Sequence, residues 1–156
     1  NAVCEVEKGV WVVPHFTGGL DEMGRRAHMY RKIGEEFIAD DFAHEQSVVF
    51  ETGKGLVIFN SCSHGGIVNI VREVQMALGV QKVYAVVGGF HMMKLSGMDT
   101  LAIPEEEVVE TAQQLKGLGV EEIYTGHCTG NIAFGILKKE LGEMVHALGT
   151  GETVVF

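Results

Sequence analysis

Leu56-Val57-Ile58-Phe59-Asn60-Ser61-Cys62-Ser63-His64-Gly65-Gly66-Ile67-Val68-Asn69-Ile70-Val71 is the stretch that decides the fold. It opens on a continuous apolar run, as expected of a strand buried on both faces. It closes on an amphipathic helix, where Ile67, Ile70, Val71, Val74, Ala77 and Leu78 recur at i, i+3, i+4, i+7 until Gly79. The pattern then repeats. Lys82 to Val87 is a second apolar run ending in Gly88-Gly89. Pro104 opens a helix at its favoured first-turn position, with Glu105, Glu106 and Glu107 complementing the dipole. Val108, Val109, Ala112 and Leu115 give that helix its apolar stripe, and Gly117 or Gly119 ends it. Glu122 to Thr125 is a third strand, and Asn131 to Leu141 a third helix with Ile132, Ile136, Leu137 and Leu141 inward. Val154-Val155-Phe156 suits a final strand. Strands alternating with helices predict an α/β fold, a mostly parallel sheet with crossover helices.

Upstream the pattern loosens. Residues 3–52 form an irregular lead-in and 53–156 the βαβαβα unit of one domain. Val10 to Val13 and Ser47 to Glu51 are strand candidates, and Gly53-Lys54-Gly55 a hairpin turn. Asp21 to Gly34 is polar and basic with weak periodicity. Asn1-Ala2, without an initiator Met, is read as a processing or expression scar.

With 46% apolar and 21% charged residues, the 156-residue chain is globular rather than disordered, and long enough for one core. No apolar run reaches the ~18–20 residues of a membrane helix. A net charge of −9 argues against nucleic acid, since phosphate neutralisation needs clustered Lys and Arg. Three cysteines do not make a disulfide framework, and two of them lie beside histidines, which suits a reducing, cytoplasmic setting.

The chemistry gathers at the strand ends. Each of the three strands runs into a small-residue loop holding a histidine: Ser61-Cys62-Ser63-His64-Gly65-Gly66, Gly88-Gly89-Phe90-His91 and Gly126-His127-Cys128-Thr129-Gly130. In an open parallel sheet all carboxyl ends share one edge, where ligands bind. Strands ~4.8 Å apart would bring these side chains to a common centre. Imidazole is the commonest protein metal ligand, and zinc accepts His, Cys and carboxylate together. Ser63 and Thr129 also suit helix N-caps, so part of each loop is helix-start chemistry.

Taken with their order and spacing, Ser61 to Ile70, Val86 to His91 and Thr125 to Gly130 resemble three blocks of one subfamily of the metallo-β-lactamase superfamily. That subfamily is labelled by its likeness to the dihydropterin-methyl-(ribofuranosyl)aminobenzene 5′-phosphate synthase. Asp41 to Ser47 resembles its acidic stretch, and the likeness covers roughly residues 36–141. The resemblance implies half of an αββα sandwich, specifically the carboxyl-terminal half. It implies a metal-dependent hydrolase or transferase acting on a small, phosphorylated molecule, with one or two divalent ions, zinc foremost. His127 is then the late metal ligand. The Ser61–His64 loop takes the place where relatives carry a bridging Asp, so Cys62 or His64 substitutes, with His64 favoured. His91 becomes a pocket or metal-site residue, and Ser63, Gly89 and Thr129 are pocket candidates. The superfamily's His-x-His-x-Asp-His motif occurs nowhere in these 156 residues. With two or three ligands the site is incomplete, so the chain alone is expected to bind metal weakly and to be inactive.

The same residues leave other chemistries open. A non-catalytic module, binding a small molecule or assembling as a homo-oligomer or with an amino-terminal half, would expose an apolar sheet face. Cys62 as a nucleophile with His64 or His127 as base would make a thiol enzyme. Cys128 would point away from His127 on an extended backbone and be structural, and Cys4 has no partner motif. Gly65-Gly66 and Gly88-Gly89 can cradle phosphate at strand-to-helix turns, yet match no nucleotide fingerprint. His15 stands at a strand end but a lone loop histidine is more often a bystander; His28, His44 and His146 are expected on the surface. The Arg25-Arg26 and Arg31-Lys32 pairs read as a solvated face. Met92, Met93 and Met98 form an apolar loop after His91.

Overall fold

A computed structural model describes residues 2–94 and 100–156; Asn1 and Met98 lie outside the described residues. The regular part follows the apolar periodicity closely. Strand β6 (Gly55–Phe59) leads into helix α2 (Ile67–Leu78), strand β7 (Val83–Gly88) into helix α3 (Glu105–Gly117), and strand β8 (Glu122–Thr125) into helix α4 (Asn131–Leu141). A short strand, β9 (Val145–Ala147), pairs with β8, and β6 through β9 run parallel.

The lead-in is more ordered than its sequence suggests. Strands β1 (Cys4–Glu7), β2 (Val10–Pro14) and β5 (Gln46–Thr52) extend the same sheet antiparallel, in the order β1-β2-β5-β6-β7-β8-β9. Between β2 and β5 lie helix α1 (Leu20–Ala27) and the hairpin β3 (Tyr30–Ile33) and β4 (Glu36–Ala39). Helix α1 carries a narrow stripe, Leu20, Met23, Gly24 and Ala27, of which only Gly24 is fully buried, tight against the Asp40 backbone. On its other face, ion pairs within the helix, Arg25 with Asp21 and Glu22 and Arg26 with Glu22, mark the solvated side. Trp11, the single tryptophan, packs against the main core and donates from Nε1 to Glu51 at 3.0 Å.

Three sequence expectations fail here. Val154-Val155-Phe156 is not a strand: the turn near Gly151 breaks the chain after β9, and Phe156 instead sets its ring edge-on against Phe59, Tyr84 and Tyr124. Ile132 is 44% exposed, because Ala133, Leu137 and Leu141 supply the inward face of α4. Ser63 and Thr129 are not N-caps; Gly66 and Gly130 occupy those positions without a side-chain bond.

The two faces of the sheet differ. Val49, Leu56, Ile58, Val86 and Ile123 pack on one side against Ile70, Val74, Val108, Leu115 and Leu137 from α2, α3 and α4. Val57, Ala85 and Val87 form a smaller cluster on the other side, covered by Phe59, Tyr84, Tyr124, Leu148 and Phe156 and, among the described residues, by no helix. Val48 and Phe50 lie on that open face, paired with Phe59 and Val57, and are 37% and 39% exposed. Among the described residues no helix is long and apolar enough to cross a membrane.

Candidate metal centre

Parallel pairing of β6, β7 and β8 puts their carboxyl ends on one edge, and the three loops leave it in the same way. Ser63, His91 and His127 each adopt a left-handed backbone, with φ of 54°, 50° and 50°. Left-handed conformations of this kind cost non-glycine residues energy and collect where the surrounding structure imposes them.

The consequence is largest after β8. His127 to Thr129 forms a 3-10 turn rather than an extended segment, so Cys128 does not point away from His127. Donor atoms of Cys62, His127 and Cys128 all lie within 4.8 Å of one another, with His127 exposed, Cys62 half-buried and Cys128 buried. Burial pushes the Cys128 thiol up to about 12. Its Sγ nevertheless accepts the His91 backbone N–H at 3.3 Å. Gly89 makes room for this sulfur, since a Cβ there would lie 2.6 Å from it. At Gly88, with φ of 149°, a Cβ would stand 2.0 Å from the Asn60 carbonyl oxygen. These two glycines therefore serve close approach. They do not cradle a ligand at a helix start, because α3 begins only at Glu105.

His64 belongs to a second cluster. The Glu45 carboxylate accepts the His64 backbone N–H (2.8 Å), the Gly65 backbone N–H (3.0 Å) and a bond with His64 Nδ1 (3.1 Å). Burial alone would raise the Glu45 carboxyl, but these bonds prevail and hold it below its ordinary 4.5. Phe42 stacks on the His64 ring at 4.1 Å and 10°, and the His91 ring stands 4.5 Å away. Burial, seconded by the nearby His64 and opposed by Glu45, holds His91 below its ordinary 6.5. His91 Nδ1 is buried without a hydrogen-bond partner among the described residues.

His91 also lines two openings. One, of about 480 Å³, is bordered by Ser63, Asn69, Phe90 and Glu107. The other, of about 770 Å³, is bordered by Met23, Arg26, His28 and Lys94. Thr129 faces neither, being fully buried, with Oγ1 accepting the Phe90 N–H and bonding Thr125 Oγ1. Ser63 Oγ bonds the Asn60 side-chain amide at 2.8 Å. His15 is a structural residue: it is buried, bonding Glu73 at 2.8 Å and Ser47 at 2.7 Å, and so pins the end of β2 to α2. His28 and His44 are exposed. His146 is only half-exposed, paired with Glu122 at 2.6 Å and stacked on Tyr124. Cys4 is free and exposed.

Glu45 and Phe42 join the site without any motif of their own. Both lie within the acidic stretch Asp41 to Ser47, but nothing in its spacing ties a carboxylate to a histidine 19 residues on. Cys128 departs from the extended-backbone expectation because the left-handed turn at His127 is not legible in Gly-His-Cys-Thr.

No family model matches the chain. Over 128 residues, 82% of its length, it is 36% identical to the 7,8-dihydropterin-6-methyl-4-(beta-D-ribofuranosyl)-aminobenzene-5'-phosphate synthase of Methanocaldococcus jannaschii. The match covers 41% of that relative, so the chain spans about two fifths of its length. Among solved structures, a metal-dependent hydrolase of the beta-lactamase superfamily superposes with a TM-score of 0.75 and 28% identity. That alignment takes in 95% of this chain and 54% of the hydrolase.

Proposed function

We infer, for a chain that has the fold of the metallo-β-lactamase superfamily, that the whole protein is a metal-dependent enzyme acting on a small molecule. The observation that carries this reading is the meeting of Cys62 and His127, from the ends of β6 and β8, in one group of metal-binding donors. Thiol and imidazole side by side suit a zinc-like divalent ion, and the unpartnered His91 Nδ1 next to them suits a bound ligand. Such an ion would polarise the substrate and lower the pKa of water.

The chain's own residues would do the rest. The Glu45 carboxylate fixes the proton of His64 on Nδ1, leaving Nε2 free to accept a proton or a hydrogen bond from substrate. His91, held neutral, would contact the substrate in the openings it lines. A phosphate-bearing substrate is favoured by the relative, whose name specifies a 5'-phosphate product, and Arg26 and Lys94 border the larger opening. Within these 156 residues the reaction is expected not to proceed, since they carry no His-x-His-x-Asp-His motif. Free cysteines at the site suit a reducing, cytoplasmic setting.

Elemental analysis of the protein with Cys62→Ala or His127→Ala tests the assignment. Bound metal should fall about ten-fold or more, whereas His64→Ala should keep it. Unchanged metal in the His127 variant would sink the reading.

A second reading, assembly, is favoured by the open sheet face around Val48 and Phe50. A sheet packed there would complete the two-layer β interior of an αββα sandwich. Gel filtration of the chain tests this: association is expected, and a monomer that stays monomeric at high concentration would refute it.

A further inference from the structure

We propose that Cys128 is a third metal donor, so that Cys62, His127 and Cys128 form a site for one thiophilic divalent cation that this chain binds by itself. The proposal deepens the reading of Cys62 and His127 as metal donors and rests on it.

Geometry is the first support. All donor atoms of the trio lie within 4.8 Å of one another. Around a tetrahedral zinc, with Zn–S about 2.3 Å and Zn–N about 2.0–2.1 Å, donors sit roughly 3.5–3.8 Å apart. Closure on an ion therefore needs shifts of about 1 Å, within reach of side-chain rotation at His127 and Cys62, neither of which is fully buried.

The surroundings of Cys128 are the second support. Its sulfur is the acceptor of a backbone N–H, from His91. Its S–H also reaches the Cys62 backbone carbonyl at 3.8 Å, which ties the loops after β6 and β8 together at the site. Gly89 keeps clear the volume the sulfur occupies. The left-handed residue at His127 is the third: without it, adjacent side chains would diverge, and with it imidazole and thiol reach the same point. Backbone energy is thus spent on bringing two soft donors together. The exposed side of the site, at His127, leaves a fourth position for water, substrate or a donor from another segment.

Two thiolates and an imidazole favour zinc or cadmium over magnesium or calcium, which take oxygen ligands. This predicts tighter binding than two donors would give, against the weak binding expected from the sequence.

The experiment is a cadmium titration of the reduced chain, followed by sulfur-to-cadmium charge-transfer absorbance, with X-ray absorption at the metal edge counting sulfur donors. The wild-type chain should bind one cadmium with two sulfur neighbours. Cys128→Ser should halve the charge-transfer intensity and weaken binding about ten-fold or more. Only one sulfur neighbour in the wild type, or an unchanged band in Cys128→Ser, would overturn the role of Cys128 while leaving Cys62 and His127 as donors. No band at all in the reduced wild type would overturn the autonomous site; the metal content of the Cys62→Ala and His127→Ala proteins then judges the functional reading separately. The sulfur count needs no variant, so a misfolded Cys128→Ser leaves the test intact.

Discussion

Two histidines that look equivalent in the sequence, His64 and His127, end up in opposite circumstances. His64 is braced: Glu45 holds its ring and backbone, Phe42 stacks on one side and His91 stands on the other. His127 is exposed, with no hydrogen bond to its ring among the described residues, beside the free cysteines Cys62 and Cys128. One cluster is organised by a buried carboxylate, whereas the other gathers two sulfurs and an imidazole with no acidic partner among the described residues. Site chemistry concentrates in the second kind, and the first kind supplies precision to it.

The comparison breaks most completely at Gly88, whose close approach to Asn60 seats both loops on the sheet edge. Gly88→Ala, with its clash and unfavourable φ, should cost about 2–6 kcal/mol and collapse both clusters together, read as a large fall in Tm. Gly89→Ala acts on one side only. Its Cβ meets the Cys128 sulfur, so about 1–3 kcal/mol should be lost along with cadmium binding, while the His64–Glu45 bond persists by histidine NMR.

Glu45→Gln attacks the other side. It removes the charge that three donors share, and about 1–3 kcal/mol should disappear at pH 7 in urea unfolding. The pH dependence follows from the sign of the shift. A carboxyl whose folded pKa is depressed stabilises above its unfolded pKa, near 4.5, and loses that contribution as pH falls through the folded value. The gap between wild type and Glu45→Gln should therefore hold down to about pH 5 and narrow below it; a constant gap would show that charge is irrelevant there. The smallest effect belongs to His127→Ala. Metal-free stability should change by no more than about 0.5 kcal/mol, since the side chain is exposed, even though bound metal falls.

The same contrast explains what was legible in the sequence. Strands β6 to β8 and helices α2 to α4 were readable because burial imposes periodicity on Leu56–Phe59, Val83–Val87 and Ile67–Leu78. The lead-in was not, because the stripe of α1 spans only about two turns and includes a glycine, and β3–β4 leaves Ile33 and Phe37 exposed. Of the site, strand-end histidines could be found by position. Their division into two clusters could not, since it depends on backbone dihedrals at His91 and His127 and on a carboxylate brought in from before β5.

Trp11 gives the molecule an optical handle of its own. The sole indole sits on β2, packed against the helical core and bonded to Glu51, on the antiparallel side of the sheet. Its fluorescence therefore reports the docking of the lead-in, while the circular dichroism of α2, α3 and α4 reports the parallel half. Coincident melting of the two signals would mark a single cooperative unit. An earlier fluorescence transition would mean that the segment delivering Glu45 to His64 detaches first, and that the braced histidine loosens before the fold does.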